Sequence, residues 1–89
     1  MWIVEIGKQS EKFLDNNSPD IRDIVYDKIR NVIEWLENKN NLIVDLKKLK
    51  GAYLGFYRIR AGKVRIIISI DKINHIIKIQ NINFRGNIY

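Results

Sequence analysis

The stretch from Asp45 to Ile70, DLKKLKGAYLGFYRIRAGKVRIIISI, constrains the fold of this chain more than any other. Its second half contains two runs rich in β-branched and aromatic residues, separated only by Gly62-Lys63. Two such runs around two residues predict a β-hairpin, and Gly at the first central position favours a type II′ turn. In a two-residue turn Ala61 pairs with Val64, so the register of the whole hairpin follows.

The predicted register gives the hairpin an apolar face and a basic face, because successive side chains of a strand point to opposite sides. The apolar face needs a helix packed on it and carries Tyr57, Ile59, Ala61, Val64, Ile66, Ile68 and Ile70. The basic face carries Arg58, Arg60 and Arg65 beside Ile67 and Ser69. Arg60 falls directly across from Arg65, and like charges in that position destabilise a sheet by up to about 1 kcal/mol.

The repulsion between the two facing arginines has two interpretations. An external anion would offset it, which makes the basic face a candidate binding surface. Alternatively, the face is ordinary solvated surface whose arginines splay apart and cover apolar atoms with their aliphatic stems. The hairpin residues alone do not decide between these interpretations.

The charge is divided unevenly along the sequence. Residues 1–44 contain six Lys/Arg and eight Asp/Glu, whereas residues 45–89 contain ten Lys/Arg and only two acids, a net +8. Such a one-sided basic half is typical of proteins that bind polyanions, and a solvated basic surface is the alternative. The absence of cysteine excludes disulfides and thiolate metal sites and suits a reducing compartment.

The first half predicts one strand and two helices. Trp2 to Ile6 is a strand, too short and too polar for a signal peptide or a membrane span, so we expect a cytoplasmic protein without a membrane partner. A short helix follows over Lys8 to Asn16. Ser18-Pro19-Asp20 is a strong helix start and predicts a second helix from Pro19 to about Asn38. The apolar stripe of this helix is predicted to lie in the core: Ile21, Ile24, Val25, Ile29, Val32, Trp35 and Leu36.

The remaining segments complete the predicted sheet. Ile43 to Leu49 indicates an extended or single-turn connection, and Asp71 to Asn74 indicates a turn. His75 to Phe84 is the last strand, but its alternation slips, and a one-residue β-bulge near Gln80-Asn81 would restore it. The order β-α-α-β-β-β over a single domain, residues 1–89, predicts an α+β fold in which two helices cover one face of a small, mainly antiparallel sheet.

Three segments of the chain resemble the RelE/ParE superfamily, the toxins of type II toxin–antitoxin pairs. They are LKKLKG (Leu46–Gly51), YRIRAGKVRIII (Tyr57–Ile68) and FRGNIY (Phe84–Tyr89). They follow one another in the order and spacing of the family pattern. The preceding strand and two helices are also in the family's order, so the resemblance covers nearly the whole chain.

The resemblance implies a toxin that enters the ribosomal A site and cuts mRNA there, with no metal or other cofactor. A 2′-hydroxyl of the RNA attacks its own 3′-phosphate and leaves a cyclic phosphate and a free 5′-hydroxyl. Arginines on a rigid sheet suit this reaction, because phosphoryl transfer depends on positioning and on stabilising charge on the phosphate oxygens. A cognate antitoxin with an acidic stretch is the implied partner.

The resemblance also implies roles for individual residues. Arg58 and Arg60 match the basic pair of the family's second strand, and Arg65 matches the arginine that holds the scissile phosphate. Arg85 and Tyr89 match the closing arginine and the near-terminal tyrosine, which completes the catalytic set. The lysines of the basic half are expected to bind RNA: Lys47, Lys48, Lys50 and Lys63.

Departures from the family pattern leave other functions open. Phe84 stands where many relatives have a histidine, and arginine stands at two strand positions where the best-known ribonucleases have lysine. Arginine is a poor general base because it stays charged, so proton transfer would fall to Tyr89, to a lysine of residues 47–50 or to ribosomal groups. His75 lies outside the motif and is predicted to be a surface residue. The alternatives are a ParE-like poison of DNA gyrase that cuts nothing, or an inert member that only binds an antitoxin.

Overall fold

The structure is a computed structural model that describes residues 1–38, 46–51 and 54–86. Its elements follow one another as β1 (Ile3–Ile6), α1 (Lys8–Asp15), α2 (Pro19–Asn38), β2 (Leu46–Lys48), β3 (Phe56–Ala61), β4 (Val64–Asp71) and β5 (Ile76–Phe84). The α+β class, both helices, the hairpin and the last strand are confirmed. The second helix has the predicted bounds, and the first ends one residue earlier than predicted.

The five strands of the described chain form one sheet in the order β1-β5-β4-β3-β2. Only β1 and β5 are parallel, and the two helices and three strands that lie between them in the sequence provide the long connection that a parallel pair requires. The mainly antiparallel sheet is therefore confirmed. The segment Leu46–Lys48 is more than a connection, because it pairs with β3 as a fifth strand. Three residues are too few for the period of a strand to be recognised in a sequence.

The β3–β4 hairpin has the predicted register. Ala61 pairs with Val64, and Arg60 pairs with Arg65. Gly62 has a φ of 61°, and Lys63 is not among the residues with positive φ. Positive φ at the first central position alone is what a type II′ turn requires, and glycine adopts it without steric cost.

The core lies between the helices and one face of the sheet. Helix α1 lies along β5, and α2 crosses over β3. The helices bury Leu14, Ile21, Val25, Ile29 and Val32 against Ile59, Ala61, Val64, Ile66, Ile68, Ile77, Ile79 and Ile82 of the strands. Burial of each Val, Leu or Ile side chain contributes about 1.5–3 kcal/mol, so this helix-covered face is the main source of stability.

Two residues of the predicted α2 stripe are not in the core. Ile24 and Trp35 are 39% and 38% exposed. At 100° per residue, both lie about 75–95° from the centre of the four buried positions of the stripe, on the edge that faces away from β1. The opposite edge, Tyr26 and Ile33, is half-buried instead and lines a groove with β1. The sequence showed the width of the stripe but not the rotation of the helix on the sheet.

The predicted β-bulge is present in β5. Ile67 pairs with Asn81 and Ile68 pairs with Ile79, so Gln80 has no partner of its own on β4. The extra residue returns Ile82 to the core face after Ile79, which explains the slip in the alternation.

Helix α1 holds the backbone around the bulge. The Ser10 hydroxyl donates to the carbonyl of Ile79 at 3.1 Å, and Ser10 is fully buried. The Gln9 side chain makes two bonds to Ile82: its Nε2 donates to the carbonyl at 2.8 Å, and its Oε1 accepts from the amide N–H at 2.9 Å. The N–H of Gly7 also donates to the Ile79 carbonyl, at 2.9 Å. These bonds satisfy backbone groups of β5 at and beyond Ile79, where the pairing with β1 ends.

Candidate functional site

The face of the sheet opposite the helices, called the open face below, concentrates positive charge near the hairpin. Strand pairing places Lys47 of β2 beside Arg58 of β3, and Arg60 of β3 beside Arg65 of β4. Paired residues share a face, so these four side chains from three strands form one basic cluster. The name basic cluster is used below for Lys47, Arg58, Arg60 and Arg65.

The arginines of the basic cluster are half-buried rather than splayed into solvent. In the described part of the chain, the Nε atoms of Arg58 and Arg60 are shielded from solvent and have no hydrogen-bond partner. An unsatisfied buried donor costs about 1–3 kcal/mol, so an anion that accepts from these guanidinium groups after a small rearrangement would recover that energy. Ile67 lies on the same face beside Arg58 and is only 2% exposed. The arginine stems therefore cover apolar surface, as the alternative interpretation expected, while their charges remain clustered.

Three ion pairs among the described residues lie away from the basic cluster. They join Arg22 to Asp15, Arg30 to Asp27, and the N-terminal amine to Glu37. No carboxylate of the described residues pairs with Arg58 or Arg60. The two acids of the sheet's open face are distant. Asp71 is six residues along β4 from Arg65, or about 20 Å, and Glu5 lies on the edge strand β1 beside Lys78.

Two further predicted residues lie at the hairpin end of the sheet. The backbone N–H of Arg85 donates to the carbonyl of Lys63 at 2.8 Å, and Arg85 Nη1 donates to the carbonyl of Gly62 at 3.3 Å. Both Arg85 and Lys63 are exposed. Two more cations thus lie next to the strand ends where Arg60 and Arg65 face each other: Lys63 in the β3–β4 turn, and Arg85, which is bonded to that turn.

Other predicted residues are not brought to the basic cluster. Lys48 pairs with Tyr57, which places it on the helix-covered side of the sheet, and Lys50 is exposed beyond the end of β2. Tyr89 lies outside the described residues. His75 is an exposed residue in the β4–β5 turn, and its ring stacks on Trp2 with a centroid distance of 4.9 Å. The prediction that this histidine is a surface residue is confirmed.

Solved structures of toxin–antitoxin complexes resemble this chain over nearly its full length. The RelB–RelE complex from Methanococcus jannaschii matches with 30% identity, 96% of this chain and 94% of that chain covered, and a TM-score of 0.68. The chain belongs to the RelE family of type II toxins. The RelE–RelB complex from Pyrococcus horikoshii OT3 matches with 29% identity, 97% of both chains covered and a TM-score of 0.72. YafQ from E. coli, at 11% identity, 100% and 99% coverage and a TM-score of 0.64, shares the fold alone. No family model and no curated protein sequence matches the chain.

The open face of this RelE-family toxin also carries amides that sequence reasoning did not assign to the site. Asn83 lies beside Arg65, and Asn81 lies beside Ile67. Gln80, the extra residue of the bulge, reaches Ser69 on the same face, and its Nε2 donates to the Ser69 hydroxyl at 3.1 Å. The slip in the β5 alternation was the available signal, because a bulge turns an additional side chain toward one face.

An apolar groove of about 480 Å³ lies elsewhere on this RelE-family toxin, between β1 and α2. It is lined by Val4, Ile6, Tyr26, Ile29, Arg30 and Ile33. Strand β1 is at the edge of the sheet, so its outer backbone groups have no neighbouring strand among the described residues. The groove and the basic cluster are therefore separate surfaces on opposite sides of the sheet.

Within residues 1–38, 46–51 and 54–86, no group of three or more His, Asp or Glu side chains is placed to hold a metal ion. None of the helices described for this RelE-family chain is long and apolar enough to cross a membrane.

Proposed function

We propose that the chain is an endoribonuclease toxin that cuts mRNA in the ribosomal A site. The observation that carries this proposal is the basic cluster, in which four cations from three strands lie on one open face without a carboxylate pairing with Arg58 or Arg60. Guanidinium groups match the geometry of phosphate oxygens and stay protonated, so they suit a phosphate under attack. Membership of the RelE family supports the same function.

The proposed reaction is a transesterification within the RNA. The 2′-oxygen forms a bond to phosphorus, the bond from phosphorus to the 5′-oxygen breaks, and the products are a cyclic phosphate and a 5′-hydroxyl. One group accepts the 2′-hydroxyl proton and another supplies a proton to the leaving oxygen. Arg65, Arg60 and Arg58 are proposed to hold the phosphate and to stabilise its developing charge.

Lys47 is the side chain of this cluster best suited to exchange a proton, because lysine loses its proton more readily than arginine. It lies beside Arg58 on the open face, whereas Lys48 lies on the helix-covered side. Tyr89 stays a second candidate from the family pattern. Ribosomal groups are the third source of acid or base catalysis, since Phe84 supplies none.

The test is primer extension on mRNA translated in a ribosome-containing extract with the purified toxin. We expect discrete cuts within codons, with 5′-hydroxyl ends. Lys47→Ala should slow cleavage by about 10²–10⁴-fold, the range that general acid–base catalysis contributes. Lys48→Ala, a neighbouring lysine on the other side of the strand, is the matched control and should cleave at close to the parent rate. Equal rates for the two variants would remove Lys47 from the mechanism.

A gyrase poison is the second candidate, and one observation favours it. Among the described residues the basic cluster has no imidazole or carboxylate beside it, so the groups that catalyse proton transfer in many nucleases are missing there. Two measurements together distinguish the functions: mRNA cleavage in the same extract, and a DNA-damage reporter in cells that express the toxin. Intact mRNA together with a damage response would establish the gyrase poison and contradict the ribonuclease.

We further propose that a cognate antitoxin holds this toxin inactive. The neighbouring structures from M. jannaschii and P. horikoshii are complexes of RelE with RelB. An acidic stretch of the partner would neutralise the net +8 of residues 45–89, and apolar side chains would fill the groove between β1 and α2. Co-purification of the chain with the product of an adjacent short acidic gene, and recovery of growth on co-expression, would test this. Growth arrest that persists with that partner present would contradict it.

A further inference from the structure

Three amide side chains of β5 lie on the open face, one of them directly beside the basic cluster, and the proposed cleavage chemistry does not use them. They are Gln80, Asn81 and Asn83, called the amide row below. Strand pairing places Asn83 directly beside Arg65, and adjacent strands are about 4.8 Å apart. Any nucleotide whose phosphate lies on the arginines therefore has neutral hydrogen-bonding groups within its own length.

The two asparagines are bonded to each other head to tail. Asn83 Nδ2 donates to Asn81 Oδ1. This bond leaves the amide nitrogen of Asn81 as a donor and the amide oxygen of Asn83 as an acceptor, and neither has another partner among the described residues. Exchanging oxygen and nitrogen in both amides reverses the bond but still leaves one donor and one acceptor. The pair thus presents a donor and an acceptor side by side in either assignment.

The fold holds the backbone of the amide row in place, in addition to the bonds that its side chains make. The bulge places Gln80 and Asn81 consecutively on β5, and helix α1 fixes the backbone on either side through Ser10 and Gln9. Asn81 and Asn83 are half-buried, which limits their rotamers. Donors and acceptors fixed in this way are suited to recognising a ligand edge, because little side-chain freedom is lost on binding.

We propose that the amide row recognises the base edge of the nucleotide whose phosphate the basic cluster holds, so that these residues determine where the RNA is cut. The inference rests on the proposed ribonuclease function. Single-stranded RNA is recognised through the edges of unstacked bases, and asparagine pairs with adenine, whose N7 accepts and whose N6 amine donates. The donor and acceptor of the asparagine pair match that edge. They match the two adjacent acceptors of the guanine N7–O6 edge less well.

The experiment compares cut-site profiles of the parent toxin and its variants. An mRNA pool is translated in a ribosome-containing extract with each toxin, and the new 5′ ends are sequenced to count the base at each position around the cut. We expect the parent to prefer adenine over guanine at one position next to the scissile phosphate. Asn83→Leu, which keeps the size and removes the hydrogen bonds, should reduce that preference by about 5- to 150-fold.

Two controls separate recognition from a general loss of activity. Lys78→Gln lies on the same face of β5 beyond the bulge and should leave the base ratio unchanged. If the leucine variant does not fold, Asn81→Ser and Asn83→Ser replace it, and circular dichroism checks the fold of each protein. A reduced preference for adenine over guanine in either serine variant supports the proposal. Cleavage with an unchanged base profile in the folded variants would overturn the proposed base recognition by the amide row and would leave the proposed ribonuclease function standing. Absence of cleavage by the parent toxin would overturn both.

Discussion

The two faces of the β3–β4 hairpin are formed by alternate residues of the same strands, but one face is apolar and buried and the other is basic and open. Ile59 pairs with Ile66 on the helix-covered face, and both side chains are fully buried. One residue further along each strand, Arg60 pairs with Arg65 on the open face. The first pair gains free energy by leaving water, whereas the second places like charges opposite each other. The comparison shows that one strand pair contributes core packing with one face and presents the proposed phosphate-binding surface with the other.

The largest effect is expected on the helix-covered face. Ile66→Ala should lower the free energy of unfolding by about 2–5 kcal/mol, because it leaves a cavity under the helices. That loss is a large share of the 5–15 kcal/mol typical of a domain. Urea denaturation followed by circular dichroism measures it, with Ile66→Val as the graded control at about 0.5–1.5 kcal/mol. Similar stability for both variants would show that this face is not the main source of stability.

The neighbouring residue on the open face should show the opposite profile. Arg65→Ala should reduce mRNA cleavage by about 10²–10³-fold, the cost of removing one preorganised donor to a developing oxyanion. Its unfolding midpoint should stay at or slightly above that of the parent, because the side chain is outside the helix-covered core and its removal also relieves the repulsion with Arg60. Arg65→Lys is the matched variant, since it keeps the charge but loses the two-pronged geometry, and it should recover part of the rate. A folded Arg65→Ala toxin that cleaves at the parent rate would contradict the proposal that the open face holds the phosphate.

A smaller effect tests the repulsion itself. Arg60→Gln removes one of the two facing charges and should raise the free energy of unfolding by up to about 1 kcal/mol while it lowers cleavage. Arg22→Gln is the control on α2, where the arginine pairs with Asp15 at 3.1 Å. That exposed pair contributes about 0–1 kcal/mol, so its removal should change stability by a similar amount in the other direction. The two arginine variants should therefore shift urea midpoints in opposite senses, and a shift in the same sense would contradict the stated cost of the Arg60–Arg65 facing.

Local chemistry explains which parts of the fold were predictable. The hairpin register followed from Gly62-Lys63, because a two-residue turn leaves one pairing of the flanking strands. The bulge followed from the slip in β5, because the side-chain period of a strand is fixed at two. Helix α2 followed from its cap and its apolar period. The rotation that exposes Ile24 and Trp35 depends on where β1 lies, and no local pattern contains that information.

The candidate site was predictable to the extent that it is one hairpin. The register that the turn imposes puts Arg58, Arg60 and Arg65 on one face, so three members of the basic cluster were predicted from the sequence. The separation of Lys47 from Lys48 needed the pairing of β2 with β3, a short strand without a recognisable period. The amide row needed the β4–β5 register as well, because Asn81 and Asn83 are distant from the arginines in sequence and become neighbours only across strands.

The smallest expected effect is at the far end of β4, in the turn that follows Asp71. Hydrogen bonds from the backbone N–H and the side-chain amide of Asn74, and then from the backbone N–H of Ile73, hold the pKa of Asp71 below its ordinary value of 3.8. A lowered folded pKa means that the carboxylate stabilises the fold above the ordinary aspartate pKa. This contribution is lost as the pH falls through the lowered value.

Asp71→Asn should therefore be slightly less stable than the parent at pH 7. Its single amide oxygen can still accept from the backbone N–H groups, but the amide nitrogen that replaces Oδ2 cannot accept the bond that Asn74 Nδ2 donates. The difference should shrink below pH 4 as the parent carboxylate is protonated. Thermal unfolding at pH 7 and pH 3 measures it, with Asp23→Asn as the control, since the Asp23 side chain is exposed and accepts no hydrogen bond among the described residues. The arginines of the basic cluster remain charged over this whole range, so RNA affinity measured on the folded protein should not follow the change. A parallel loss of RNA affinity and stability between pH 5 and pH 3 would show that RNA binding by the open face depends on this turn. It would then contradict the view that the open face and the helix-covered face contribute separately to function and stability.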